Sequence, residues 1–191
     1  SGQLREQILN GAPFDLYASA NVEFVDEVVA AGRGRPETRA DYAEGRIVLW
    51  SPPGVRLPES VDELVDPRYR RIAIANPEHA PYGQAALEGL QAVGVWPQVE
   101  GRVIYGESVS DTLRIASSGN ADVAVVALSL AIADGSPFTL VPAELHEPLR
   151  QALVVTSTGA TGAAAQRFAD FVASPAGRAV MNRYGFVLPG K

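Results

Sequence analysis

The 191 residues contain no cysteine, which excludes disulfides, thiolate metal centres and a thiol nucleophile. Histidine is almost as scarce. His79 and His146 are the only two, and a lone loop histidine reads as an ordinary solvated residue rather than a metal ligand or general base. Basic residues are in deficit: Lys+Arg 16 against Asp+Glu 22 gives a net charge of −6. A nucleic-acid or anionic-membrane surface would need a basic stripe, so the balance argues against both. No apolar run approaches the ~18 residues of a membrane span. A G-x-S-x-G elbow and a G-x-x-x-x-G-K-[ST] loop are missing too. Gly32-Arg33-Gly34 follows a helical pattern and lacks a third glycine, so it is no dinucleotide fingerprint. These absences leave a conventional enzyme little support.

What is present is ordinary for a folded α/β chain. Hydrophobic residues make up 47% and charged residues 20%, and at about 150 residues per domain the length suits one large domain or two small lobes. Ser1-Gly2-Gln3-Leu4 runs straight into a helical pattern marked by Leu4, Ile8 and Leu9 and ended by Gly11, as if the chain began mid-fold. Leu16-Tyr17-Ala18 reads as a strand, and Asn21 as the cap of a helix carrying Val22, Val25, Val28 and Val29. Arg33 to Tyr42 reads as a polar loop. Arg46 to Trp50 is a strong strand, broken at Ser51-Pro52-Pro53-Gly54, the best linker in the chain. Ser60-Val61-Asp62-Glu63 has the capping-box pattern, which explains its two acidic residues better than acid–base chemistry does. Strands are expected at 72–75, 103–105, 123–128, 138–141 and 152–155, and helices near 82–93, 110–118, 163–172 and 175–184. Little period-2 alternation in these strands implies sheets covered on both faces. Trp50 and Trp96 read as packing residues.

Three segments stand out because each opens a helix with small or turn-forming residues. They are Ser1-Gly2, Asn76-Pro77-Glu78-His79-Ala80-Pro81-Tyr82-Gly83, and Gly106-Glu107-Ser108-Val109. Helix N-termini carry unpaired N–H groups and a positive dipole end, so each is a potential anion site. The second and third follow buried strands, the position where open α/β sheets bind ligands. Any one of them could be a plain connection. Three together, without a catalytic group, point toward binding an anion with backbone dipoles.

At these segments the sequence resembles the periplasmic molybdate-binding proteins of ABC importers. The likeness runs in order through Ser1-Gly2-Gln3-Leu4, Asn10-Gly11-Ala12-Pro13-Phe14-Asp15-Leu16, Gly45 to Ser51, Ala75-Asn76-Pro77 with Ala80-Pro81-Tyr82-Gly83, Gly106-Glu107-Ser108-Val109, Ser118-Gly119-Asn120-Ala121-Asp122, Val126 to Ser129, and Tyr184-Gly185-Phe186. The resemblance implies a type II periplasmic-binding-protein fold, two α/β lobes with the ligand in the cleft between them. Residues 1–52 plus 150–191 would form the first lobe and 53–149 the second. Crossings are expected at Pro52-Pro53-Gly54 and around 148–152.

The family holds its oxyanion with hydroxyls and backbone N–H groups and no charged partner. Residue by residue, Ser1 falls on a ligand serine, Tyr82 on the position after the proline, and Val109 on a backbone donor. Some members carry a ligand tyrosine where this chain has Ala127, others where it has Tyr82, so Tyr82 is the expected source of that hydroxyl. The family has a further strand and helix, with another serine or threonine ligand, ahead of the position of Ser1. Ser19-Ala20-Asn21 stands in place of the family's Ser-Ala-Asp, one good N-cap exchanged for another. The expected function is therefore capture of molybdate, and of tungstate, by a monomeric periplasmic protein for a membrane permease. No cofactor and no nucleic acid are expected, and molybdenum enters only as its oxyanion. Two alternatives remain open, a binding protein for sulfate or another tetrahedral oxyanion, and the oxyanion-sensing domain of a transcription regulator.

Overall fold

The computed structural model describes residues 1–190. Along the chain run α1 (Gly2–Leu9), β1 (Leu16–Ser19), α2 (Val22–Ala30) and β2 (Ala40–Gly45). Then come β3 (Ile47–Trp50), β4 (Ile72–Ala75), α3 (Pro81–Ala92), α4 (Trp96–Val99), β5 (Val103–Gly106), α5 (Val109–Ser117), β6 (Val123–Ala127), α6 (Leu128–Asp134) and β7 (Phe138–Leu140). β8 (Leu149–Val155), α7 (Gly162–Ala173) and α8 (Pro175–Arg183) close it. The elements divide into two units, one of residues 1–45 with 149 onward, the other of residues 46–148.

In the first unit β8 is the middle strand, antiparallel to β1 on one side and to β2 on the other. The apolar run Ala152 to Val155 in its second half follows from burial on both faces. Ala152 and Val154 pack with Tyr17, Ile8, Val25 and Val28 beneath α1 and α2. Leu153 points the other way, to Ala169 and Val172 of α7, with Leu16, Tyr42 and Met181 around them. α2 starts as expected, the Asn21 side chain accepting the Glu23 N–H at 2.7 Å. Gly11 and Gly32, at φ 91° and 70°, take the left-handed turns that follow α1 and α2.

Part of the segment expected as a polar loop is strand. Ala40 to Gly45 pairs with β8, and its sequence looks loop-like because its first residues are exposed at the sheet margin. Glu44 also exchanges two backbone hydrogen bonds with Val187, at 2.7 and 3.0 Å, so the C-terminal segment pairs with β2 on its outer side.

The second unit holds a mixed sheet of order β5-β4-β6-β3-β7. β4 runs parallel to both neighbours, and β3 antiparallel to both of its own. On one face Val48, Trp50, Ala73, Ala124 and Val126 pack on Ala116 of α5 and Ala131 of α6. On the other, Ile47, Leu49 and Val125 meet Ala86, Gly89 and Leu90 of α3. Trp50 is a packing residue as expected, its indole N–H donating to Asp134 at 3.2 Å.

Three expectations change. β3 belongs to the second unit's sheet, so the first crossing falls at Gly45–Arg46 rather than at Pro52-Pro53-Gly54, which only ends a strand; the return lies at Pro148–Leu149. Ser60 does not cap a helix: the turn at Asp62–Val65 is 3-10 with Val61 at its start and no side-chain cap. Glu63 reaches back instead to the Glu59 N–H and to Arg56. His146 is buried at 9% exposure, with Nδ1 2.7 Å from the Glu147 carbonyl, so it is a packed structural residue and not a solvated one.

Candidate functional site

β4 and β5 pair in parallel register from Ile72↔Val103 to Ala75↔Gly106, so they end side by side. Each then turns directly into a helix, α3 after β4 and α5 after β5. The Asn76 N–H donates to the Gly106 carbonyl at 2.8 Å, the last backbone tie between the two segments. Two glycines let the helices start this close. A Cβ on Gly83 would lie 2.1 Å from the Ala75 carbonyl oxygen, and one on Gly106 would lie 2.6 Å from Thr112 Oγ1. Two helix N-termini, both positive dipole ends, therefore share one end of one sheet.

Tyr82 takes the second position of α3, with Pro81 before it and only 8% of its surface exposed. Proline suits this start because its missing N–H costs no helical bond there. Val109 is the first residue of α5, and its side chain packs on the Trp50–Val126 core. Two other amides of that turn are occupied. Ser108 Oγ accepts the Asp111 N–H at 3.1 Å, and Asp111 Oδ2 accepts the Glu107 N–H at 3.1 Å. Arg114 beside Asp111, and then the Glu107 N–H, hold that carboxyl below the usual carboxylate range. The Val109 N–H has no acceptor among the described residues. Ala127 ends β6 in the same sheet; it is buried and brings no hydroxyl.

Ser1 belongs to the first unit, where it stands just before α1, beside the carboxyl end of β1, and makes no side-chain cap bond to the helix. Its carbonyl accepts the Tyr17 hydroxyl at 3.0 Å, and its Oγ accepts the Ala20 N–H at 3.2 Å. With that lone pair engaged, the hydroxyl proton of Ser1 is left to donate elsewhere. The structure thus brings Tyr82 and Val109 to one sheet end and gives Ser1 the same kind of position in the other unit.

Residues 1–187 match the model of the bacterial extracellular solute-binding proteins. The chain belongs to this family. This solute-binding chain is 36% identical to the molybdate-binding protein ModA of Rhodobacter capsulatus, over 98% of its own length and 74% of that protein's. It is 31% identical to the ModA of Azotobacter vinelandii, over 98% and 76%. The solved structure of the Azotobacter vinelandii periplasmic molybdate-binding protein superposes with a TM-score of 0.91 at 33% identity, covering 100% of this chain and 85% of that one. The α/β fold expected from sequence is thus the fold of periplasmic binding proteins.

Sequence reasoning reached the two helix openings of the second unit but missed what holds them. His79, read as a plain loop residue, has Nε2 3.2 Å from the Glu107 carbonyl. Ser108 caps the Asp111 N–H, and Asp111 reaches back past it to the Glu107 N–H; the Ser-x-x-Asp spacing is the recognisable signal for such a cap. The Ala20 N–H on Ser1 has no sequence signal.

Proposed function

We propose that the protein captures molybdate, and tungstate alongside it, as the solute-binding component of an ABC importer. The observation that carries this is the pair of helix N-termini at the ends of neighbouring parallel strands, with the Val109 N–H unspent. Val109 N–H, Tyr82 through its N–H or hydroxyl, and the Ser1 hydroxyl are the proposed donors. The relatives' names support the choice of anion. A protein of net charge −6 holds a dianion when local N–H dipoles outweigh distant charges, and such donors need no lysine or arginine. Binding by dipoles alone needs no resident cofactor and no bond-making group, so the role proposed is binding, not catalysis. The protein works as a periplasmic monomer and hands its anion to a membrane permease. The family is extracellular by description, and no helix among the described residues is long and apolar enough to cross a membrane.

Calorimetry tests the site. Val109→Pro removes one N–H at a position where proline is welcome, the first of a helix, and Ser108 before it is already extended at φ −153°, ψ 167°. A hydrogen bond to a charged ligand is worth about 1.5–3 kcal/mol, so this variant weakens molybdate binding about 10- to 150-fold. Ser1→Ala costs a similar factor, and Tyr82→Phe tells the hydroxyl from the N–H. Sulfate, being smaller, stretches several fixed bonds at once and competes poorly. Sulfate binding as tight as molybdate, or silent Val109→Pro and Ser1→Ala variants, would overturn the reading.

A further inference from the structure

We infer that His79 is a positioning residue of this site: its hydrogen bond to the Glu107 carbonyl sets the spacing between the α3 and α5 N-termini, and through that spacing the preference for an anion of molybdate size. The inference rests on the reading of Tyr82 and Val109 as donors.

The Asn76–Gly106 bond joins the two segments at the strand ends, and each turn also has bonds within itself. In the first, Asn76 Oδ1 accepts the Glu78 N–H at 3.0 Å, and the Asn76 carbonyl accepts the Ala80 N–H at 2.9 Å. In the second, Asp111 and Ser108 bind the Glu107 and Asp111 amides. The His79 contact crosses between them, joining residues 28 apart in sequence. A carbonyl only accepts, so Nε2 carries the proton and donates. The bond is well placed to act as a gauge. His79 stands three residues before Tyr82, and Glu107 two residues before Val109. Anchoring these turns to one another therefore anchors the two donors. Tetrahedral oxyanions of equal charge differ chiefly in size, and donors held at a fixed spacing tell them apart. Donors on slack turns close onto a smaller anion at little cost.

The test titrates molybdate and sulfate into the wild type, His79→Ala, His79→Gln and Val109→Pro. His79→Ala should weaken molybdate roughly 3- to 10-fold, the worth of one modest hydrogen bond, and weaken sulfate less, so that the molybdate-to-sulfate ratio shrinks. Its ligand-free melting temperature should move by no more than about 2 °C. His79→Gln, whose carboxamide N–H reaches about as far as Nε2, should restore the ratio. Wild-type affinity and ratio in His79→Ala beside an impaired Val109→Pro would overturn the inference and leave the site standing. A His79→Gln variant as defective as His79→Ala would overturn it too, since the hydrogen bond would not be the cause. A silent Val109→Pro would remove the site reading and the inference with it.

Discussion

Tyr17 joins the first unit's core to its candidate donor. The ring is 2% exposed among Ile8, Val25 and Val28, while the hydroxyl donates to the Ser1 carbonyl. Burial raises the Tyr17 phenol above its ordinary value near 10, outweighing Ser19 and Arg5, which pull it down. The unfolded chain therefore ionises first as the pH climbs past about 10. The stability this phenol protects is complete below that pH and is lost as pH rises toward its folded-state value. Tyr17→Phe should cost about 1 kcal/mol near neutrality through the lost hydrogen bond, yet lose less stability between pH 9 and 11 than the wild type. Urea midpoints across that range check it. The alkaline slope should flatten without vanishing, because burial raises the Tyr69 phenol as well. An unchanged slope would mean that Tyr17 is not the titrating group.

Helix α3 is held against β4 by what Gly83 lacks. A methyl there would meet the Ala75 carbonyl oxygen and carbon at 2.1 and 2.6 Å, backbone atoms that cannot swing aside. Gly83→Ala should cost about 2–3 kcal/mol or more and weaken anion binding as Tyr82 moves with its helix. Gly89 in the same helix is the control, because its Cβ would meet only Val141 Cγ1, at 3.9 Å. Gly89→Ala should be neutral or stabilising, gaining helix propensity of up to about 1 kcal/mol. Equal urea midpoints for the two variants would contradict the steric account. The elements around this helix were largely legible, because β4 and β6 are unbroken apolar runs and the stretch after β4 holds two prolines and an asparagine. Elsewhere local pattern misled. Ala-Asp-Tyr-Ala-Glu-Gly becomes a strand only because β8 supplies its partners, and α6 hides because apolar residues continue from β6 into Leu128-Ser129-Leu130-Ala131. The helix-opening positions of Tyr82 and Val109 were legible from the turn residues ahead of each. The His79–Glu107 bond was not, since nothing along the chain records which turns end side by side.

Charge is divided unevenly across the molecule. Residues 46–148 hold seven of the 16 basic residues, all arginine, and thirteen of the 22 carboxylates, so this unit accounts for the whole net charge of −6. At the proposed site a dianion would therefore meet long-range repulsion from the unit's net charge, offset by the local N–H dipoles. Salt should screen the repulsion first. The Debye length falls from about 30 Å at 0.01 M to about 10 Å at 0.1 M, and over that range the molybdate association rate should rise severalfold in stopped-flow measurements. A falling rate, the signature of a basic site, would contradict the dipole account. The first unit's sheet has another consequence, in time rather than energy. β1 and β2 share no pairing with each other; both bond to β8, which is encoded after the whole of the second unit. On a growing chain, residues 46–148 have every strand of their sheet to hand, while residues 1–45 wait for the one strand that can join theirs.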